Sequence, residues 1–192
     1  MTDRSRIHLL GGIALLATVP TFGVSTMLDA QPLTDKPAPK WRFDSIYGGS
    51  YTSADFAGKP VLLVNTASLC GYTPQYTALQ KLYDTYKAKG LIVLAVPSDD
   101  FHQEKKSNGE VKTFCELTYG ITLPMTTISA VTGPDAAPIY QWLHTATGFA
   151  PQWNFDKVLF DRKGRVVATW LSGAEPLGGE IELAVEQALS AS

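Results

Sequence analysis

The sequence predicts an α/β protein, a three-layer sandwich with helices on both sides of a central mixed sheet. Two short, continuously apolar runs indicate buried strands, and a helical pattern between them completes a parallel strand–helix–strand unit. A later pair of runs separated by a glycine turn indicates an antiparallel hairpin. Parallel and antiparallel pairs within 192 residues are best combined in one mixed sheet with a single domain around it.

The strand–helix–strand unit takes its strands from the apolar runs 60–65 and 91–96. Apolar side chains recur between them at spacings of three and four residues, which puts them on one face of a helix: Tyr76, Leu79, Leu82, Tyr83 and Tyr86. We expect Thr73 to cap this helix, Pro74 to occupy its first position and Gly90 to end it.

A second helix is predicted after the capping-box pattern of Ser107 to Glu110, with Val111, Phe114 and Cys115 on its apolar face. The chain before the first buried strand, from Phe43 to Phe56, alternates apolar and polar residues around two glycines. It predicts a small leading β-hairpin.

The second half of the chain predicts a hairpin and a closing helix. Strands 157–160 and 165–170 flank a turn that contains Gly164. The last helix is marked by a 3.6-residue apolar pattern: Ile181, Ala184, Val185, Ala188 and Leu189.

Residues 1–30 resemble a targeting segment rather than part of the fold. Arg4 and Arg6 precede a stretch from Leu9 to Leu28 that carries no charge, the pattern of a secretory signal peptide. An uncleaved membrane anchor is the alternative, since the stretch could just span a bilayer. We therefore expect an exported protein, periplasmic or secreted, with a flexible proline-containing linker at 31–42 and the folded domain at 43–192.

Composition and charge exclude several kinds of partner. The formal net charge is -2, from 16 basic and 18 acidic residues, so nothing favours nucleic acid. His8, His102 and His144 are far apart in sequence and form no metal-ligand spacing with the two cysteines. We predict neither a metal nor a bound cofactor.

Cys70 is the candidate nucleophile. It lies just past the first buried strand and close to the start of the next helix, where the helix dipole and free N–H groups favour a thiolate. We expect its pKa to fall below the usual value of about 8.5, which would allow attack on a hydroperoxide to give a sulfenic acid. The alternative is a buried, unreactive cysteine.

Three segments resemble the signatures of the glutathione peroxidase family: residues 65–76, residues 96–104 and residues 153–157. Cys70 stands where some members carry selenocysteine. The resemblance covers about Phe43 to Leu189 and implies a thioredoxin-like fold and peroxidase activity toward hydrogen peroxide and organic hydroperoxides. It also implies a catalytic set formed by Cys70, Gln103, Trp153 and Asn154, whose neutral donors would hold the thiolate and the peroxide oxygens.

The second segment departs from the family pattern. Only His102 separates Phe101 from Gln103, where the family has two residues, so Glu104 is the alternative occupant of the glutamine position. Asp99 and Asp100 replace an Asn-Gln pair, and we expect them to be solvated loop residues, since carboxylates facing a thiolate would oppose its ionisation.

Cys115 resembles the resolving cysteine of those members that are reduced by thioredoxin. In that case it attacks the Cys70 sulfenic acid to form a disulfide, which a thioredoxin-like dithiol then reduces. Alternatively, Cys115 is simply buried and glutathione is the reductant, with Lys81, Lys105, Lys106 and Lys157 as candidates for binding its carboxylates. The short stretch between Pro138 and Trp153 resembles members that tend to be monomeric.

Two other functions compete with the peroxidase. A secreted, non-catalytic binding domain with a thioredoxin-like fold would use Cys70 and Cys115 as a structural disulfide. A disulfide exchanger would need a second cysteine at position 73, which is Thr73.

Overall fold

The computed structural model describes residues 31–191 and contains a four-stranded mixed sheet in the order β4-β3-β5-β6. β3 pairs parallel with β4 and antiparallel with β5, which continues into β6 through the predicted hairpin. The strands are β1 (Arg42–Asp44), β2 (Ser50–Thr52), β3 (Val61–Thr66), β4 (Ile92–Pro97), β5 (Lys157–Phe160) and β6 (Val166–Trp170). The helices are α1 (Gln75–Tyr86), α2 (Asn108–Tyr119), α3 (Pro138–Thr147) and α4 (Glu180–Ser190).

Two apolar cores cover the two faces of this sheet, because successive side chains of β3 point to opposite sides. Leu62 and Val64 pack with apolar residues of α1, α2 and α4. Val61 and Leu63 pack with α3 and with Phe43 of the leading hairpin. The predicted three-layer sandwich is therefore present, and each fully buried large side chain contributes about 1.5–3 kcal/mol to it.

Helix α3 was not predicted. It begins at Pro138, in a position that suits proline, and ends before Gly148, which has a φ of +74°. Ile139, Tyr140 and Leu143 are buried at helical spacing. The signals were present in the sequence, but the segment is short.

Helix α1 begins one residue later than predicted. Pro74 occupies the cap position and makes no side-chain capping bond. Thr73 instead turns its hydroxyl toward the preceding loop, where it accepts a hydrogen bond of 3.0 Å from the Cys70 N–H. At the other end, a short 3₁₀ turn leads to Gly90, whose φ of +104° explains the glycine.

Helix α2 begins as predicted. The Ser107 side chain accepts a hydrogen bond from the Glu110 N–H at 3.3 Å and donates one to the Glu110 carboxylate at 2.9 Å. Val111 and Cys115 are buried and Phe114 is half-buried, so the predicted apolar face is the buried one.

The segment predicted as a flexible linker lies along the edge strand β6. The Leu33 N–H donates to the Val166 carbonyl at 2.6 Å, and the Val166 N–H donates to Thr34 Oγ1 at 3.0 Å. Because an uncovered edge strand invites pairing with another chain, this segment protects the sheet. The predicted signal peptide or anchor lies outside residues 31–191, and no helix within that range is long and apolar enough to cross a membrane.

Candidate active site

Cys70 lies in the connection between β3 and α1, residues 67–74, and we call residues 67–70 the peroxidatic turn. Its side chain is almost buried, with 7% exposed. The Tyr72 N–H donates to its Sγ at 3.4 Å, and α1 starts five residues further on. A donor directed at the sulfur and the start of a helix both favour negative charge at this place.

The peroxidatic turn is held by the loop that follows β4. The Leu69 N–H donates to the Gln103 carbonyl at 2.9 Å, and the Ser68 N–H donates to Glu104 Oε1 at 3.0 Å. Two successive backbone donors of the turn are thereby bonded to two successive residues of the loop. The structure thus brings Cys70 and Gln103 into neighbouring segments, although they are far apart in sequence.

Gln103 and Asn154 are in direct contact. The Asn154 side-chain amide, which is fully buried, donates a hydrogen bond of 3.0 Å to Gln103 Oε1. Trp153 lies beside them with 41% of its surface exposed, and its ring packs on Phe101 at a centroid distance of 5.4 Å. Each predicted site residue other than Cys115 therefore lies in one of three loops that meet at the end of β3 and the start of β5.

Asn65, which we did not single out from the sequence, holds the Trp153–Asn154 pair in place. Its side-chain amide donates to the Trp153 carbonyl at 2.8 Å, and its own carbonyl accepts from the Phe155 N–H at 2.6 Å. Phe155 has a φ of +67°, which is rare for a residue other than glycine. A polar residue at the end of an otherwise apolar strand was the signal that could have identified Asn65.

Asp156 adds a second support to the same loop. One carboxylate oxygen accepts the Gln152 N–H at 2.7 Å, and the other accepts the Ser172 hydroxyl at 2.9 Å. The loop that carries the indole and the amide is thus fixed from both sides.

Glu104, the alternative occupant of the glutamine position, is buried beneath the peroxidatic turn. Its Oε1 accepts N–H groups of Ser68 and Lys105, at 3.0 and 2.8 Å. Burial raises the pKa of this carboxyl above its usual value of 4.5. Gln103, and not Glu104, bonds to Asn154.

The two aspartates that precede Phe101 shape loops. Asp99 is exposed, as expected, and accepts the Glu104 N–H at 3.1 Å. Asp100 is only half-exposed, because one of its oxygens accepts the N–H groups of Val131 and Thr132 at 2.6 and 2.8 Å. Asp100 is therefore a loop residue, as expected, but only partly solvated.

Cys115 is fully buried on α2 and belongs to the same apolar core as Cys70. Both cysteines are free thiols. Burial raises the pKa of Cys115 to about 11, and the neighbouring Tyr76 hydroxyl offsets part of this effect. In this arrangement Cys115 is a protonated, unreactive thiol at neutral pH.

Lys157 is also fully buried, so it is not available to bind glutathione. Its ammonium group donates to Gln75 Oε1 and the Ala174 carbonyl, both at 2.6 Å, and to the Ser172 carbonyl at 3.1 Å. Burial lowers its pKa to about 8. Lys157 therefore fixes the start of α1, a few residues beyond Cys70, to the loop after β6.

No group of three potential metal ligands occurs within residues 31–191. The arrangement is that of a thiol site without charged partners at hydrogen-bond distance: a nearly buried cysteine at a helix start, with amide and indole donors in the adjoining loops. This fold and this site define a thiol-dependent peroxidase of thioredoxin-like architecture.

Comparison with known proteins supports the assignment as a thiol-dependent peroxidase. A family model described as glutathione peroxidase matches residues 41–144. A hydroperoxy fatty acid reductase of Synechocystis is 41% identical over 157 residues, which cover 76% of this chain and 92% of the relative. A glutathione peroxidase-like peroxiredoxin of Chlamydomonas reinhardtii is 40% identical over 145 residues, covering 72% and 90%.

A thiol:disulfide interchange protein of the thioredoxin family from Chlorobium tepidum shares the fold. Its structure superposes with a TM-score of 0.64 over 84% of this chain and 99% of that one, at 18% identity. The chain belongs to the glutathione peroxidase family, has a thioredoxin-like fold and is a thiol peroxidase that acts on hydroperoxides.

Proposed function

We propose that the protein reduces hydrogen peroxide and organic hydroperoxides through a sulfenic acid at Cys70, which Cys115 resolves and a thioredoxin-like dithiol regenerates. The observation that carries this proposal is the meeting of the peroxidatic turn with the bonded pair Gln103 and Asn154. A structural cysteine would need no such donors around it.

In the first step the Cys70 thiolate attacks one oxygen of the hydroperoxide. The S–O bond forms as the O–O bond breaks, and the leaving oxygen takes a proton to depart as water or an alcohol. The sulfur is oxidised to a sulfenic acid and the peroxide is reduced. Charge moves from sulfur to the leaving oxygen, so neutral donors nearby stabilise the transition state.

Gln103, Trp153 and Asn154 are the proposed donors. The Asn154 amide fixes the orientation of Gln103 through its bond to Oε1, so that the Gln103 amide nitrogen is free to donate elsewhere. Trp153 is the most exposed of the three, and its indole N–H is the third proposed donor. None of the three carries a charge that would compete with the thiolate.

In the second step Cys115 loses its proton and attacks Cys70. A disulfide forms as the S–O bond breaks, and the hydroxide that leaves is released as water. Since Cys115 is fully buried with a pKa of about 11, we expect α2 to loosen before this step. A thioredoxin-like dithiol then reduces the disulfide in two exchange steps. Direct capture of the sulfenic acid by glutathione is the other possible route.

Organic hydroperoxides fit the surroundings of Cys70. Leu69, Tyr72 and Trp153 are exposed to 60%, 39% and 41%. All three lie in the segments that form the site, so an apolar tail meets an apolar surface there. The relative named as a hydroperoxy fatty acid reductase supports this choice of substrate.

The competing proposal, a secreted binding domain with a structural Cys70–Cys115 disulfide, has less support. Both cysteines of the chain are free thiols in the structure. We further propose that the protein is exported, as residues 1–30 predict, and acts as a monomer. Detection of the shortened chain in the periplasmic or culture fraction would test the export.

Peroxide consumption by the purified protein tests the cycle. One assay supplies thioredoxin with its reductase, and a parallel assay supplies glutathione with its reductase. We expect turnover with thioredoxin that stalls after one cycle in Cys115→Ser and is absent in Cys70→Ser. Sustained turnover of Cys115→Ser with thioredoxin would contradict the role of Cys115, and turnover of Cys70→Ser would contradict the assignment of the nucleophile.

A further inference from the structure

We propose that Glu104 is a positioning residue that couples the peroxidatic turn to α2 and so controls when Cys115 is released to form the disulfide. This role rests on the proposed two-cysteine cycle. Glu104 is a buried acidic residue outside the proposed set of peroxide donors, and its contacts are with the peroxidatic turn and the loop before α2.

The coupling is made by one oxygen atom. Glu104 Oε1 accepts the Ser68 N–H, two residues before Cys70, and the Lys105 N–H, three residues before the first residue of α2. Lys105 in turn places its ammonium group over the Phe114 ring, next to Cys115 in sequence, at 4.9 Å. A single carboxyl thus joins the turn that is oxidised to the helix that must open.

The second oxygen of Glu104 lies in a buried polar cluster. Four polar groups are buried there: Glu104 Oε2, Thr66 Oγ1, Ser68 Oγ and the Tyr76 hydroxyl. Tyr76 faces both the Thr66 hydroxyl and the Cys115 thiol. In the closed state, in which α2 keeps Cys115 buried, this cluster links the Glu104 carboxyl to the Cys115 thiol through Tyr76.

The closed state must then respond to pH. Burial raises the pKa of Glu104 above 4.5, and the Asp99 carboxylate adds to this effect. The other titratable groups around it are Tyr76 and Cys115, whose own pKa values are raised and which are neutral at physiological pH, and the Lys105 ammonium. A raised carboxyl pKa stabilises the closed state at low pH, and that contribution is lost as the pH rises from 4.5 through the raised value.

The test measures disulfide formation in single turnover. Reduced protein receives one equivalent of hydrogen peroxide between pH 4.5 and 8, is quenched with acid, alkylated and analysed by mass spectrometry. Glu104→Gln keeps an oxygen for both N–H groups but cannot ionise, whereas Glu104→Ala loses the acceptor at every pH. Glu180→Gln, an exposed change at the start of α4, is the matched control, because its carboxylate is not among the groups that act on Glu104 or Cys115.

Both cysteines remain titratable in every protein, so the ratio of the wild-type rate to the Glu104→Gln rate isolates Glu104. We expect this ratio to rise above pH 4.5, by about tenfold for each unit by which burial raises the pKa, and then to level off. Glu104→Ala should form the disulfide faster than the wild type at low pH. Glu180→Gln should follow the wild type throughout.

A ratio that stays constant across the pH range would overturn the role of Glu104 while leaving the two-cysteine cycle intact, as would a Glu104→Ala protein that is no faster than the wild type. If no Cys70–Cys115 disulfide forms in the wild type, both the cycle and this coupling are overturned. Loss of folding in Glu104→Ala still leaves the comparison with Glu104→Gln decisive.

Discussion

The Asn154 amide donates a hydrogen bond of 3.0 Å to Gln103 Oε1, across 51 residues of sequence. This contact joins the loop after β4 to the loop before β5. Because Asn154 is fully buried, the pair forms one unit whose orientation is set inside the protein rather than by solvent.

A double-mutant cycle on this pair tests whether the two amides act together. Asn154→Ala and Gln103→Ala should each lower kcat/KM for hydrogen peroxide by about 10²-fold, the usual effect of losing a donor to a developing anion. If Gln103 works only when Asn154 orients it, kcat/KM of the double variant should equal that of the less active single variant. Losses that multiply would show independent roles. Gln141→Ala, a change on α3 away from the site, controls for general effects.

Trp153 tests the indole donor separately from apolar packing. Trp153→Phe keeps a ring against Phe101 but removes the N–H, so kcat/KM should fall by about tenfold or more, with the free energy of unfolding nearly unchanged at this exposed position. Trp142→Phe on α3 is the matched control and should leave peroxide reduction intact. Equal kinetics in both variants would remove Trp153 from the proposed donors.

The burial of Cys115 predicts selective alkylation. With a pKa raised to about 11, Cys115 holds less than about one part in 10³ of its thiol as thiolate at pH 7.5. Reduced protein treated with iodoacetamide should therefore be modified at Cys70 alone, and Cys115 should react only after denaturation. Peptide mapping of the Cys70→Ser variant gives the clearest reading. Rapid labelling of Cys115 there would show that α2 already opens before oxidation.

Lys157 makes stability depend on pH in the alkaline range. Its pKa falls from 10.5 to about 8 on folding, so the unfolded chain holds more protons between these values. The free energy of unfolding should then gain up to about 1.4 kcal/mol per pH unit in this window from this group. Urea titrations measure this effect. The free energy of unfolding of the wild type should rise between pH 8 and pH 9 relative to that of Lys157→Met.

Lys157→Met also leaves the acceptors at Gln75 Oε1 and the Ala174 carbonyl without their donor. We expect it to lower the free energy of unfolding at pH 7 by about 2–4 kcal/mol, as for other broken buried polar contacts. Lys163→Met, in the solvent-facing hairpin turn, provides the control. A Lys157→Met protein as stable as the wild type would mean that the buried ammonium contributes no net stability.

The segment along β6 gives a prediction about self-association. Thr34→Val removes the oxygen that accepts the Val166 N–H and should cost about 1 kcal/mol. Removal of residues 31–39 should cost more and should expose the strand edge, which we expect to increase dimer or aggregate formation in size-exclusion chromatography. A shortened chain that stays monomeric and equally stable would show that the edge needs no cover.

Sequence periodicity was enough to predict the sheet and three of the helices, because these elements bury continuous or regularly spaced apolar residues. The continuous apolar run from Leu62 to Val64 is typical of a strand that is buried on both faces. Helix α3 escaped prediction because its buried face consists of only Ile139, Tyr140 and Leu143. The start of α1 was displaced by one residue because Thr73 bonds to the Cys70 N–H instead of capping the helix.

The site was predictable only as far as its residues share short sequence segments. Cys70, Trp153 and Asn154 stand in such segments, and the choice between Gln103 and Glu104 required the three-dimensional contact to Asn154. Asn65, Asp156 and Lys157 were missed as supports because their effect depends on partners 88, 16 and 82 residues away. No local pattern encodes such distances.

The two hydrogen bonds of Asn65 also bear on the distance between the Cys70 sulfur and the Asn154 amide during thermal motion. Asn65 belongs to the strand that leads directly into the peroxidatic turn, and it is hydrogen-bonded to the backbone on both sides of Asn154. We expect a shift of that strand to move the sulfur and the amide in the same direction. The distance between them should then change less than the position of either group when the sheet moves.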